Sequence, residues 1–463
     1  MSIVEQLEAS GEALSPTVRA AIQALEVRLR ELEARLGLDS TNSSRPPSSD
    51  PPGVLRRGKT PTGRKRGGQK GHPGTFRSLL PPERIDHVLE HRPAECRHCG
   101  HSLQHAREVG RRGLHQVIEL PPIRAHVTEH RLLALACPAC GKRTRAALPP
   151  EVSPKHFGPR LTALASLLVS RFRLSRRDLV VFFGDVLDVP APALGTTQTF
   201  AAEASAALLA SHREVRRAVR RSRSARVDET GWRLRGTPRW LWTAATERAT
   251  LFHLGRSRSA QDLARLLGRD YSGIVTSDRW SAYQIYPHRQ LCWAHLARNF
   301  EGLSLRGGDA LAFAHWGVAE CQRLFHAWHT WKRSGAPRAE LARTLQPLMA
   351  RFARLLGRGL RSADRKVAAF ARNLHTYADA LWTFTREEIE PTNNQAERSL
   401  RRAVLWRKGC FGSASGKGLL FVERVLTLCE TARQNEVNVL DYLTRALFAY
   451  RQNAPAPRLL PTP

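Results

Sequence analysis

Three acidic residues stand out in this sequence because each falls where a predicted strand or helix could direct it toward a common site. Asp228 lies in the strand-like segment RVDETGW, Asp278 ends the apolar segment GIVTSD, and Glu397 follows the helix start PTNNQAE. Carboxylate oxygens suit Mg²⁺, and two divalent ions about 3.5–4 Å apart can activate a water or a 3′-hydroxyl for phosphoryl transfer. Two aspartates from neighbouring strands and a glutamate from a helix would supply the ligands.

Each of these acids also has a simpler interpretation when it is taken alone. A carboxylate on a strand is commonly a cap or a surface charge, and Glu397 is spaced for an i,i+4 ion pair with Arg401 that contributes about 0.2–0.5 kcal/mol. Glu229 follows Asp228 directly, and because neighbouring strand residues point to opposite faces, we do not expect it to bind the same ion. Asn393, four residues before Glu397, is expected to cap the helix and to orient the carboxylate.

The charge balance indicates an anionic partner. The chain has 73 basic and 41 acidic residues among 463, which gives a formal net charge of +32. Nucleic acid is the first candidate for the partner of such a protein. The residues expected to contact DNA phosphates lie between positions 56 and 70 and beside the acidic helix, namely Arg56, Arg57, Arg64, Lys65, Arg66, Lys70, Arg398, Arg401, Arg402, Arg407 and Lys408.

Two CxxC pairs predict a structural zinc site. Cys96 with Cys99, and Cys137 with Cys140, are each followed by glycine, so each pair can form a tight knuckle that presents two thiolates. The 37 residues between the pairs exceed the usual spacing of a zinc ribbon, so hairpins formed by HQVIEL and AHVTEHRLLAL would have to bring the pairs together. Four unrelated thiols are the alternative. Substitute ligands near the first pair are His98, His101 and His105.

Cys292 and His295 also have a spacing that suits a metal ion. No second pair accompanies them in the sequence, and a metal site needs further ligands. A core cysteine and a polar histidine are therefore the favoured interpretation.

Several classes of protein are excluded by composition. No apolar run approaches the 18 or so residues that span a bilayer, and the N-terminus lacks the pattern of a signal peptide. Eight cysteines are too sparse for a disulfide scaffold, which favours a reducing compartment. We therefore expect a cytoplasmic protein without a membrane partner.

The first predicted element is a helix over residues 17–36. Its apolar residues recur at alternating steps of four and three, at Val18, Ile22, Leu25, Leu29, Leu32 and Leu36. This heptad seam predicts a short coiled coil and a homo-oligomer, with an amphipathic helix packed on its own protein as the alternative.

The remaining sequence indicates a multidomain chain. Predicted strands and helices alternate after residue 223, which is typical of a mixed sheet with packed helices. The helices before residue 223 permit either a helix-turn-helix or a plain helical packing unit. The predicted domains are 1–38, a coiled-coil helix; 39–78, a basic flexible linker; 79–150, a zinc-binding domain; 151–222, a helical segment; 223–434, a mixed-sheet unit that is helical at about 300–388; and 435–463, a C-terminal helix and tail.

Several motifs occur in a distinctive order along the chain. NSSRPPSSD (42–50) and RKRGGQKGHPG (64–74) precede the two CxxC pairs. The blocks that follow are VDETGW (227–232), TSDRWSAY (276–283), CWAHLARNF (292–300), NNQAERSLR (393–401) and RKGCFGSASG (407–416). In this order they resemble, nearly end to end, the DDE transposases of the insertion sequence sixty-six family.

The resemblance carries specific expectations. It implies an α/β RNase H-like catalytic core interrupted by an all-helical insertion, with Asp228, Asp278 and Glu397 as the metal-binding triad. It implies catalytic Mg²⁺ or Mn²⁺ and structural Zn²⁺. The expected reaction is cleavage at transposon ends followed by transfer of the 3′-hydroxyl into target DNA. Partners would be terminal inverted repeats, target DNA and accessory proteins of the element, at the nucleoid of a bacterial cell.

Arg279 departs from the family pattern, in which glycine usually follows the second aspartate. Its side chain could contact a phosphate or hinder entry of the metal. Two rival functions use the same features: a non-catalytic DNA-binding regulator derived from a transposase, and a metal-dependent nuclease that cuts without joining strands. The three acids together favour the transposase over the regulator.

Overall fold

The computed structural model describes residues 3–11, 13–39, 41–43, 50, 74, 77–110 and 113–461. Two compact units can be distinguished. One comprises Met1–Val54, Val127–Asp185 and Pro190–Pro463, and the other comprises Leu55–His126 and Val186–Val189. The six basic residues predicted between positions 56 and 70 to contact DNA lie outside the described residues.

The predicted N-terminal helix is confirmed. Helix α1 (Ile3–Ala9) precedes helix α2 (Pro16–Leu36), which begins where the Ser15 hydroxyl accepts a hydrogen bond from the backbone N–H of Val18 at 3.3 Å. Five of the six seam residues on α2 are exposed, up to 85% at Leu36. The seam is therefore open to a partner, and pairing through it stays a prediction.

The region around the CxxC pairs contains little regular structure. Strand β1 (Ala134–Ala136) pairs antiparallel with β2 (Arg143–Arg145). The expectation of strands in HQVIEL was wrong, because residues 115–120 form no strand, and in AHVTEHRLLAL only the last residues reach β1. Val117, Ile118 and Leu120 are exposed by 61–79%, so no packing favours strand pairing there.

Four helices follow: α3 (Pro159–Ser170), α4 (Arg176–Asp185), α5 (Leu194–Ala207) and α6 (Leu209–Arg220). The first two helices are separated by residues 171–175. Ala163, Leu167 and Ala204 of this segment are buried in the same hydrophobic core as the central sheet. The segment therefore packs as part of the core, and a helix-turn-helix role stays a prediction.

A five-stranded mixed sheet lies at the centre. Its strands are β3 (Ser224–Leu234), β4 (Thr237–Ala245), β5 (Thr250–Gly255), β6 (Ile274–Ser277) and β7 (Arg289–Leu291). Helix α7 (Ala260–Leu267) lies between β5 and β6 in the sequence. The strand order is β5-β4-β3-β6-β7, with β3 to β5 antiparallel, β6 parallel to β3 and β7 parallel to β6. Arg235 and Gly236 take positive φ angles of 49° and 79° at the turn between β3 and β4.

The segment expected to be a helical insertion, at about 300–388, is helical. It consists of α8 (Trp293–Ser304), α9 (Gly308–Ser334), α10 (Arg338–Leu360), α11 (Arg365–Thr376) and α12 (Ala378–Trp382). These helices bury a second core that includes Trp293, Phe300 and Phe352. In the described ranges, no helix is both long and apolar enough to cross a membrane.

Three helices complete the chain: α13 (Asn394–Cys410), α14 (Gly416–Gln434) and α15 (Val439–Arg451). Helix α14 covers the edge strand β5. Three alternate N–H groups of β5 donate to side chains one helical turn apart on α14: Thr250 to Thr431 at 3.1 Å, Phe252 to Thr427 at 3.1 Å, and Leu254 to Glu423 at 2.5 Å. These bonds satisfy an edge that would otherwise be free to pair with another strand.

Candidate active site

Asp228 and Asp278 lie side by side on adjoining strands. Strands β3 and β6 are parallel, with Arg226 opposite Thr276. Continuing this register by two residues places Asp228 beside Asp278, which directly follows the last residue of β6. Adjacent strands lie about 4.8 Å apart, and residues two apart share a face. The local sequence therefore brings the two carboxylates together as soon as β3 and β6 pair.

Glu397 reaches the same region from the first turn of α13. Asn393, which immediately precedes the helix, is fully buried, and its Nδ2 donates to the carbonyl oxygen of Val227 at 3.2 Å. The expected side-chain cap by Asn393 was wrong, because this amide bonds to β3 instead of the helix N-terminus. The hydrogen bond holds the start of α13 beside the residue that precedes Asp228.

The ionisation of Asp228 is opposed by the other two acids. The pKa of Asp228 is raised well above its ordinary value, first by burial and then by repulsion from Glu229, Glu397 and Asp278. Burial also raises the pKa of Asp278, although the Trp280 N–H and nearby arginines act in the opposite direction. Bringing these carboxylates together therefore costs free energy that a divalent cation would offset.

Two arginines that the sequence analysis did not single out balance part of this charge. Arg298 Nη2 lies 2.8 Å from Glu397 Oε1, and Arg258 Nη2 lies 3.9 Å from Asp278 Oδ2. Arg298 lies one helical turn after His295 in the CWAHLARNF segment, and this spacing could have pointed to it as a residue of the site. No local sequence pattern points to Arg258 in the same way. In the part of the chain that is described, no three His, Cys, Asp or Glu side chains are arranged to hold one metal ion.

Glu229 lies close enough to Asp228 and Asp278 to repel both, but its own partners are protein groups. Its buried carboxylate accepts a hydrogen bond from Arg258 Nε at 2.6 Å and another from the Tyr283 hydroxyl. Thr230, the next residue, contacts Arg407 of α13 on the opposite face of the sheet at 3.3 Å. Glu229 is therefore bound to protein partners, and we do not assign it to the metal.

Cys292 and His295 are both buried at the start of α8. The backbone N–H of Asn393 donates to Cys292 Sγ at 3.4 Å, and His295 Nδ1 lies 3.5 Å from Glu397 Oε1. Burial raises the pKa of Cys292 to about 12 and lowers that of His295 to about 3, so both are neutral near pH 7. These contacts agree with a core cysteine and a polar histidine.

The structure gives Arg279 a role in packing. Its guanidinium donates to Asn299 Oδ1 on α8 and to Asn373 Oδ1 on α11, both at 2.8 Å, and lies 4.6 Å from the centre of the Phe370 ring. Burial lowers the pKa of Arg279 to about 10, against the attraction of Asp278. Arg279 therefore links the end of β6 to the helical insertion.

Replacing Arg279 by Ala is expected to destabilise the protein by about 2–4 kcal/mol, because two hydrogen bonds of a charged group and a cation–π contact are lost. The measurement is the midpoint of urea unfolding. Arg279→Met, which keeps the stem of the side chain, should recover part of the stability. If Arg279→Met instead remains as stable as wild type and binds DNA more weakly, Arg279 contacts phosphate.

The basic residues predicted beside Glu397 fall into two groups. Arg398, Arg401 and Lys408 are exposed on α13. Arg402 pairs with Glu430 at 3.2 Å, and Arg407 donates to the carbonyl oxygen of Gly231. Arg402 and Arg407 therefore already bind protein partners. DNA contact by any of the five residues stays a prediction.

Both CxxC pairs form the predicted knuckle. Gly100 N–H donates to the carbonyl of Cys96 at 2.9 Å, and Gly141 N–H to that of Cys137 at 2.8 Å. Both glycines take positive φ angles, 72° and 69°, which explains the residue type. Backbone N–H groups within each loop hold the pKa of its first cysteine below the ordinary value. The structure places one knuckle in each compact unit.

Comparison with known proteins adds three matches. Residues 193–419 match the Transposase IS66 family, residues 93–141 match the zinc-finger binding domain of transposase IS66, and residues 2–78 match a family of unknown function (DUF6444). The first range contains the three acids and the second contains all four knuckle cysteines. Uncharacterized protein y4qI of Sinorhizobium fredii is 28% identical over 248 residues, which is 48% of this chain and 45% of that protein.

Proposed function

Since the chain belongs to the IS66 family of transposases, we propose that it cleaves DNA at transposon ends and transfers the resulting 3′-hydroxyl into target DNA. One observation carries the proposal. Asp228, Asp278 and Glu397, which are far apart in sequence, gather where β3, the end of β6 and the start of α13 meet. Such a group of carboxylates in a chain of net charge +32 suits binding of divalent cations next to a phosphate backbone.

We propose that these three acids hold Mg²⁺ or Mn²⁺. The raised pKa of Asp228 supports this, because burial and then repulsion from Glu229, Glu397 and Asp278 disfavour its ionised form, which a bound cation would favour. When bound, the cations would activate the attacking hydroxyl and stabilise the leaving oxygen. Arg298 and Arg258 hold Glu397 and Asp278 in place before the metal enters.

The proposed chemistry has two steps. Water attacks the phosphorus at the transposon end, the P–O3′ bond breaks, and a free 3′-hydroxyl is left. That hydroxyl then attacks a phosphodiester of target DNA, so that one P–O bond forms as another breaks. Arg398, Arg401 and Lys408 on the exposed side of α13 would hold the backbone phosphates beside the acids.

We propose that the catalytic core is RNase H-like. Three antiparallel strands, a helix and two further strands in the order β5-β4-β3-β6-β7 support this assignment, as does the helical insertion before Glu397. In this arrangement the acids lie on the central strand, at the end of its parallel neighbour and on a covering helix.

The N-terminal regions are proposed to recognise DNA. The four cysteines would bind one structural Zn²⁺, and this module, with the basic linker and helices α3 to α6, would contact terminal inverted repeats. Accessory proteins of the element and action at the bacterial nucleoid belong to the same proposal.

Helix α2 is proposed to pair two transposon ends through its exposed seam. Replacing Leu25 and Leu32 by Glu should abolish paired-end complexes while single-end binding survives, because the change places charge in the seam. Val27→Glu is the matched control, since Val27 is 53% exposed but lies off the seam. Native gels that resolve single-end from paired-end complexes provide the measurement. Paired-end complexes that persist in the double variant would exclude end pairing through α2.

The proposed activity can be tested with purified protein, Mg²⁺ and a labelled duplex that carries the end of the element. We expect a nick at the end and, with target DNA present, joined products. Nicking without joining would favour a metal-dependent nuclease. Binding without any cut, also when the element's accessory proteins are added, would favour a regulator derived from a transposase.

A further inference from the structure

Trp280 differs from the other tryptophans in its exposure. All ten tryptophans lie within the described residues, and Trp280 is the most exposed of them, at 39%. One exposed aromatic residue means little by itself. The contacts of Trp280 decide whether its exposed ring is placed to bind a ligand.

The ring of Trp280 is held in one orientation. Its Nε1 donates to the carbonyl oxygen of Arg258 at 3.1 Å, and the Arg258 guanidinium lies 4.1 Å from its ring centre. The same guanidinium lies 5.2 Å from the ring of Trp240 and pairs with the buried carboxylate of Glu229. The cation is thus anchored to both aromatic rings and to a carboxylate, so the position of Trp280 is fixed before any ligand arrives.

This ring is also tied to the acids. The backbone N–H of Trp280 donates to Asp278 Oδ1 at 2.8 Å, and Arg258 lies 3.9 Å from Asp278 Oδ2. Because the indole N–H already has its acceptor, the surface left open is mainly apolar ring. A rigid, flat, apolar surface beside a cluster of carboxylates is suited to stack against another flat ring.

We propose that Trp280 is a stacking platform for a nucleobase that leaves the duplex next to the cleaved bond. The proposal rests on the proposed function, which places DNA at Asp278. Unpairing costs least at a terminal or single-stranded position, and stacking on an aromatic ring accepts every base. Arg258 below the ring keeps the platform rigid and adds positive charge near the backbone.

The test compares two probes without added divalent ions, so that it does not depend on catalysis. One probe is a blunt duplex, and the other is the same duplex with a single-stranded thymidine tail. We expect wild type to prefer the tailed probe and Trp280→Ala to bind it about tenfold more weakly, with blunt-duplex affinity unchanged. Trp280→Phe should retain most of the preference and Trp280→Leu should lose it.

Trp331 provides the matched control. Its ring also lies over an arginine, Arg338, at 5.0 Å, and its Nε1 also donates to a backbone carbonyl, that of Pro337, at 3.2 Å. Trp331→Ala should therefore keep the preference for the tail. In addition, 5-iodouracil in the tail should crosslink to the peptide that contains Trp280.

Each other outcome overturns the inference. Equal affinity of wild type for the two probes would remove it and leave the proposed function standing. An equal loss on both probes in Trp280→Ala, or equal behaviour of Trp280→Phe and Trp280→Leu, would assign the ring to packing over Arg258. Failure of wild type to bind either probe would reject the proposed function together with this inference.

Discussion

Replacing Asp228 by Asn is expected to abolish strand cleavage and, at the same time, to stabilise the metal-free protein. The loss of activity should be at least about a thousandfold, because a metal ligand that contributes several kcal/mol to the transition state is removed. Asp278→Asn and Glu397→Gln should lose cleavage in the same way, at matched DNA binding.

The stabilising effect follows from the sign of the pKa shift. Burial and three neighbouring carboxylates raise the pKa of Asp228 above its ordinary 3.8, so the ionised form costs free energy in the folded state. This cost grows as the pH rises from the ordinary pKa through the raised one, and it is fully present above both. Asn keeps the shape without the charge, so the variant should melt higher near neutral pH and the difference should shrink on acidification.

Thermal melting with and without Mg²⁺ measures this effect, and each kcal/mol corresponds to about 2–4 °C for a domain of this size. Wild type should gain stability from Mg²⁺, and Asp228→Asn should gain little. A lower melting temperature of the metal-free Asp228→Asn variant would show that ionised Asp228 does not destabilise the folded protein. Normal cleavage by the variant would exclude Asp228 as a ligand.

Asp262 provides a control of opposite sign. It is also buried, but hydrogen bonds from Ser257 and Arg265 outweigh the effect of burial and lower its pKa. Asp262→Asn should therefore destabilise the protein above pH 4 while leaving cleavage by the folded fraction intact. Opposite changes in stability at the two positions would distinguish Asp228, whose charge serves function, from Asp262, whose charge stabilises the fold.

Replacing Cys140 by Ser is expected to remove bound zinc and to abolish specific binding to transposon ends. Structural zinc contributes about 10–16 kcal/mol to small zinc modules, far more than their own packing can supply. Residues 79–150 have only two strands of three residues each in their described part, so little else stabilises this region. The central sheet has a core of its own and should melt as in wild type.

Zinc content, end binding and the melting of the core are the three measurements. Cys410→Ser is the matched control, because Cys410 is also exposed but lies at the end of α13, outside both knuckles. It should keep zinc and end binding. Full zinc content in Cys140→Ser would show that the four cysteines do not form a shared site.

Local patterns were sufficient for most of the elements. Heptad spacing predicted the helix now seen at Pro16–Leu36, and the apolar segment GIVTSD contains the strand now seen at Ile274–Ser277. Residues 115–120 have a similar β-prone composition but form no strand. The difference is physical: a strand needs a neighbour to satisfy its backbone groups, and composition does not say whether that neighbour exists.

The sequence by itself determined which groups could do chemistry: three acids in predicted elements, two knuckles with their glycines, and an excess of positive charge. Only the tertiary structure decided how they are held. Arg298 bonds to Glu397, which is 99 residues away in the sequence, and Arg279 bonds to Asn373, which is 94 residues away. Arg279 is therefore bound to protein groups, whereas the sequence analysis considered a phosphate contact for it. Spacing along the chain reports contacts within one helix or strand. These contacts arise instead when the insertion packs on the sheet, because buried charges then bond to whatever partners the folded chain brings near.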